Sequence, residues 1–162
     1  MRILGIDPGV ATVGYGVIDY NNGRFVHQRH GTITTPAHTP LSLRLMEISH
    51  DMQELIAMFK PDVAAMEILY FSKNITTGIT VAHARGVLVL ECGRAGLPIY
   101  EYNPMQVKQA VTGYGAAEKR QVMEMTRRML GLEKVPRPDD AADALAVAIC
   151  YAHASGMGDK MI

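Results

Sequence analysis

The chain has 162 residues, 48% of them apolar and 20% charged, with 16 basic and 16 acidic side chains and a formal net charge of zero. That length holds one domain around one core and leaves no room for two substantial lobes. No apolar run nears the roughly 20 residues of a membrane helix, so no membrane role is expected.

Neutrality removes the simplest argument for a nucleic-acid partner. Setting aside four carboxylates as metal ligands changes the balance, because 16 basic residues then face 16 − 4 = 12 acids, an excess of +4. The start, Met1-Arg2-Ile3-Leu4, runs at once into a strand-like segment, so no signal peptide is expected. Cys92 and Cys150 lie far apart in apolar, helix-like contexts and read as buried free thiols of a cytoplasmic protein. The six histidines are scattered and form no zinc-spaced cluster with them.

In chain order, residues 2–7 (RILGID) read as a buried strand stopped by Pro8-Gly9. Residues 13–20 and 24–33 flank Asn22-Gly23, a strong hairpin signal, so an antiparallel meander follows. Thr39-Pro40 predicts an N-cap and a proline at the first helical position. The helix after it carries its apolar face on Leu41, Leu45, Ile48, Met52, Leu55, Ile56 and Phe59 and stops before Pro61. Residues 62–69 (DVAAMEIL) predict a strand, 79–94 an apolar helix ended near Gly96, and 98–102 the last strand.

Three helices complete the domain: one capped by Asn103-Pro104 and ended at Gly113, one over 117–130 stopped by Gly131, and one from near Pro138 to Gly156. Residues 1–156 are read as a single domain and 157–162 as a short mobile tail. Three antiparallel strands followed by two strands each reached through a helix predict an α/β, ribonuclease-H-like, mixed five-stranded sheet with helices on both faces.

The chemistry falls on Asp7, Glu67, Asp140 and Asp143. Asp7 ends the first strand in Gly-Ile-Asp-Pro-Gly, where a plain turn aspartate would also serve. Glu67 ends the apolar run Val63-Ala64-Ala65-Met66, and a carboxylate there is costly unless it is paired, bound to metal or turned to solvent. Asp139 is the best placed to cap the final helix, which leaves Asp140 and Asp143, three residues apart on one face, without a capping role. The alanines between them allow close approach to the sheet, and the helix N-terminus favours ionised acids. An oxygen-only donor set suits Mg²⁺ or Mn²⁺, two of which could clamp a phosphodiester. The methionines of the helices read as core and packing surface.

At these residues the chain resembles the RuvC family of Holliday-junction resolvases. The resemblance is carried by GIDPGVATVGYGVI (residues 5–18), EILYFSKN (67–74), VKQAVTGYGAAEKRQV (107–122) and DAADALAVAI (140–149), in family order across nearly the whole chain. It implies that Asp7, Glu67, Asp140 and Asp143 are the metal-binding catalytic acids, with two Mg²⁺ ions per site for which Mn²⁺ can substitute. It places Tyr70 where the family stacks an aromatic on bases near the junction centre. It sets Lys108 and Lys119 at phosphate contacts near the cut, Lys119 in a catalytic role, with Lys73 and Arg120 as further DNA contacts. Four-way junction DNA, a homodimer, and the RuvA and RuvB branch-migration proteins are the implied partners.

Three departures stand out. Val13 replaces a frequent threonine, Asp139 adds an acid that leaves one ligand assignment open, and the tail past Gly156 is short and carries few basic residues. The expected dimer interface is the helix over 79–94, where Val81, Ala84, Val87, Leu88, Leu90 and Glu91 offer surface, with a wholly buried core helix as the competing explanation. Actin-like ATPases and sugar kinases share the sheet order but need a second lobe. A non-catalytic junction binder has no use for four converging acids, and a ribonuclease H acting on RNA–DNA hybrids would share them.

Overall fold

The computed structural model describes residues 1–69, 75–154 and 160–161. Its elements are β1 (Arg2–Asp7), β2 (Thr12–Asn21), β3 (Arg24–Thr34), α1 (Leu41–Phe59), β4 (Val63–Glu67), α2 (Ile75–Arg94), β5 (Ile99–Tyr102), α3 (Pro104–Thr112), α4 (Lys119–Met129), α5 (Asp139–Ala154) and β6 (Lys160–Met161). The sheet runs β3-β2-β1-β4-β5-β6. β1, β2 and β3 pair antiparallel, while β1–β4 and β4–β5 are parallel. The expected five-stranded mixed sheet is present, and the segment read as a tail adds the two-residue β6 antiparallel to β5.

Local chemistry accounts for most boundaries. Asn22 and Gly23 both take positive φ, 50° and 78°, which matches the hairpin turn to the twist of β2 and β3. Asn103 and Gln106 cap α3 reciprocally: the Gln106 N–H donates to Asn103 Oδ1 and the Asn103 N–H to Gln106 Oε1, each at 2.8 Å.

Several expectations need correction. α1 begins at Leu41, so Pro40 is its cap residue, not its first turn, and no side chain, Thr39 included, caps it. α2 begins four residues before the expected 79. Within that turn Thr80 Oγ1 donates back to the Thr76 carbonyl at 3.1 Å, satisfying its hydroxyl inside the helix. α4 starts at Lys119, not Ala117, because Gln121 Oε1 accepts the Glu118 N–H at 2.8 Å and fixes the entry there. Asp139 is the first residue of α5 and lies inside its first turn, so it is not the cap.

Alternation along β1 divides the core. Ile3 packs with α5, whereas Leu4 and Ile6 face α1 and α2. The outer residues of α2 split the same way. Ala84, Leu88 and Glu91 are buried within the protomer, Glu91 accepting from Ser49 and Gln53 of α1 at 2.7 and 2.9 Å. Ile79 and Leu90 remain half exposed, at 51% and 50%.

Helix α5 is the centre of the packing: every residue from Ala141 to Ala152 except Asp143 is buried. It lies unusually near the sheet. A Cβ on Gly5 would stand 1.9 Å from the Ala144 carbonyl oxygen, and one on Gly14 2.0 Å from that of Asp140. Glycine on the strands and alanine on the helix together set that separation.

Gly5→Ala should therefore destabilise the protein by about 3 kcal/mol, since the obstacle is backbone and cannot rotate aside. Gly93→Ala, with nothing within 4 Å, should be neutral or stabilising by up to about 1 kcal/mol. Urea denaturation midpoints measure both; equal effects would show that the close approach is not needed.

Candidate active site

Parallel pairing of β1 with β4 puts Ile6 beside Met66. Each strand then ends one residue later, in Asp7 and in Glu67, so two carboxylates leave the sheet side by side. Residues two apart on a strand share a face, and Gly5 faces Ala144, so Asp7 faces the same helix. The first two turns of α5 supply Asp140 and Asp143 over that spot. A hollow of about 230 Å³ opens at the strand ends, lined by Asp7, Pro8, Glu67, Ile68, Leu69, Val81 and Pro104.

Charge accumulates there. Burial, with the carboxylates of Asp143, Asp140 and Glu67, pushes Asp7 up to about 7, against a partial offset from Lys119. Burial and Asp143 likewise raise Glu67, while Lys108 and Lys119 act to lower it. Lys119 Nζ donates to Asp143 Oδ2 at 2.8 Å and stands 3.5 Å from Asp139 Oδ2. Partial burial opposes its charged form, but Asp143 and Asp139 overcome this and raise its pKa. Lys119 is the first residue of α4, at the helix end that repels cations, so its place there depends on these carboxylates.

The structure thus places Glu67, Asp140 and Asp143 within electrostatic reach of Asp7, no three of these four with ligand atoms all within 4.8 Å, with Lys119 on Asp143 and Lys108 within reach of Glu67. Arg120 does not join them. It is exposed on α4, bordering a hollow of about 660 Å³ with Lys119, Arg137 and Asp139. Tyr70 and Lys73 lie outside the described residues. Asp139 is tied to Arg137 and Lys119, which gives the extra acid a basic partner on each side.

Sequence reasoning did not foresee these two ion pairs, and it read Val81 as interface surface, whereas Val81 lines the hollow beside Asp7 and Glu67. Among the described residues, one set of three metal-type side chains has all its ligand atoms within 4.8 Å: His50, Asp51 and Glu54. It lies on α1, where His50 already pairs with both acids at 3.3 and 3.8 Å, away from the strand ends.

Four carboxylates offset by one ammonium leave a surplus of negative charge in a half-buried place. The donors are all oxygen, and burial together with the neighbouring carboxylates raises Asp7. These residues fit hard divalent cations such as Mg²⁺ or Mn²⁺.

The sequence profile described as crossover junction endodeoxyribonuclease RuvC matches residues 3–151. The crossover junction endodeoxyribonuclease RuvC of Syntrophomonas wolfei is 54% identical over 153 residues, 94% of this chain and 89% of that protein. That of Clostridioides difficile is 53% identical over 155 residues, 96% and 92% of the two chains. A solved structure of Thermus thermophilus RuvC in complex with a Holliday junction substrate superposes with a TM-score of 0.95 at 35% identity, covering 100% of this chain and 99% of the other.

The raised Asp7 has a sign that can be measured without DNA. Ionising it costs the folded chain stability, and the cost is absent below its ordinary value of 3.8 and complete above about 7. In EDTA at pH 8, Asp7→Asn should therefore melt about 3–8 °C above wild type. The gap should shrink as pH falls through 7 and close near pH 4. A variant that melts lower at pH 8 would show Asp7 to be a stabilising turn residue.

Proposed function

Because the chain belongs to the RuvC family of crossover junction endodeoxyribonucleases, we propose that it resolves four-way (Holliday) DNA junctions by hydrolysing phosphodiester bonds, in recombination and repair. The observation that carries this is the pair Asp7 and Glu67 at the ends of two parallel strands, with Asp140 and Asp143 of the closely packed α5 within electrostatic reach of Asp7. The T. thermophilus relative, bound to a Holliday junction substrate, supports junction DNA as the partner.

Asp7, Glu67, Asp140 and Asp143 would hold two Mg²⁺ ions, with Mn²⁺ as a substitute. When bound, such ions supply Lewis-acid stabilisation of the phosphodiester and lower the pKa of a water. The chain's own residues do the rest. Asp7 and Glu67, fixed by the sheet, set the position of the reacting phosphate relative to α5. Lys119, charged and beside Asp143, neutralises charge as it develops on that phosphate. Lys108, near Glu67, holds the adjoining phosphate. Arg120, Lys73 and Tyr70 extend the DNA contact, Tyr70 by stacking on bases near the junction centre.

The working unit is a homodimer. A junction opened to two-fold symmetry needs two strands of like polarity nicked, and one site per chain cannot reach both. The half-exposed Ile79 and Leu90 on α2 are the surface that supports this interface. Branch-migration proteins of the RuvA and RuvB kind are the further partners, and the reaction belongs in the cytoplasm. Among the described residues no helix is long and apolar enough to cross a membrane.

On a synthetic four-way junction with Mg²⁺, wild type should give paired nicks, and EDTA should abolish them. Asp7→Asn should lose cleavage by at least about 10³-fold while its junction affinity changes by less than about threefold, because basic contacts carry the binding. Equal loss of both would make Asp7 structural. Faster cutting of an RNA–DNA hybrid than of the junction would favour ribonuclease H activity instead.

Mixed dimers of wild-type and Asp7→Asn chains test the pairing. On a junction extruded from a supercoiled plasmid they should leave mainly a single nick, where wild-type dimers give linear product. Linear product from the mixed dimers would refute the two-site model.

A further inference from the structure

We infer that Asp139 is a positioning residue for Lys119: it is the seat to which the Lys119 ammonium moves when Asp143 turns to a divalent cation. The inference rests on the metal-site reading above. Lys119 Nζ lies between two carboxylates, 2.8 Å from Asp143 Oδ2 and 3.5 Å from Asp139 Oδ2. The shorter contact is to a residue assigned to the metal, so the same oxygen is claimed twice. Lys119 cannot simply be released into the cluster's field, because it sits at the cation-repelling start of α4.

Asp139 is built to receive it. Its Oδ1 is taken by Arg137 Nη1, which leaves Oδ2 directed at Lys119. The ammonium has less than an ångström to travel to exchange one carboxylate for the other. With one oxygen on Arg137 and the other facing Lys119, Asp139 acts through the lysine. The arrangement keeps the ammonium beside the site after the cation enters, where the phosphate will be.

A double-mutant cycle on metal affinity tests this without DNA or activity. Mn²⁺ binding to the full chain is measured by calorimetry at pH 8 for wild type, Asp139→Asn, Lys119→Met and the double variant. Asp139→Asn should weaken Mn²⁺ binding about three- to tenfold, since the displaced ammonium loses its seat. Lys119→Met should tighten it, since the competitor is gone. In the Lys119→Met background, Asp139→Asn should change the affinity by less than about twofold. The same weakening in both backgrounds would overturn the inference by showing that Asp139 acts on the ion directly, and no weakening in either would overturn it too. Absence of Mn²⁺ binding by wild type, or binding unaffected by Asp7→Asn, would bring down the metal-site reading itself and this inference with it.

Discussion

Everything in this fold depends on α5 lying almost on the backbone of β1 and β2. The contact is made by leaving side chains out: Gly5 and Gly14 on the strands oppose Ala144 and the Asp140 carbonyl on the helix. Such a contact gains less from large apolar groups than an ordinary helix–sheet interface, and it is correspondingly intolerant, because backbone cannot change rotamer. In exchange it carries the start of α5 to the end of β1. Short aspartates then reach across a gap that would otherwise call for longer side chains with more freedom to lose. The continuous burial of α5 behind them makes the placement rigid, with α3 and α4 covering its outer side.

The same rigidity concentrates like charge. A flexible cluster of acids would splay and hydrate. Here Asp7 is half-buried and held at the end of its strand, and burial with the neighbouring carboxylates pushes it up to about 7. A divalent cation held there would relieve that electrostatic stress. Lys119 supplies part of the relief from within the chain, held by Asp143 and Asp139 at a helix start that would otherwise repel its ammonium.

Much of this was legible in residue order. Asp7 after RILGI and Glu67 after VAAM stand out because a carboxylate at the end of an apolar strand needs a reason. Asp140 and Asp143 stand out because their spacing repeats the helix turn. The hairpin at Asn22-Gly23 and the cap at Asn103 follow from local chemistry and came out as read. What was not legible depends on contacts distant in sequence. Lys119 is an ordinary surface lysine until α4 is packed on α5. Asp139 reads as a cap until Arg137 and Lys119 are found on its two oxygens. The early start of α2 was hidden because Thr76, Thr77 and Gly78 have weak helix propensity. Glu91 offered itself as interface surface on spacing alone, whereas Ser49 and Gln53 of α1 bury it inside the protomer.

The neutral net charge, at first an objection to a DNA partner, follows from the same arrangement. In the proposed mechanism four carboxylates would repel phosphate from the place where it reacts, so cation and scissile phosphate would be seated there together, while basic residues elsewhere carry the junction affinity. Each cation that enters would turn repulsion of the backbone into attraction, and Lys108 and Lys119, which offset Glu67 and Asp7, would then face phosphate. Basic residues elsewhere then need only steer and hold the arms of the junction, which a modest excess can do. A chain with a large fixed positive charge would bind any duplex tightly, whether or not its site were loaded. In the proposed mechanism balance at zero would tie seating of the scissile phosphate to the loaded state, and in a nuclease that acts at a rare structure within a vast excess of ordinary duplex, that dependence would itself be a source of selectivity.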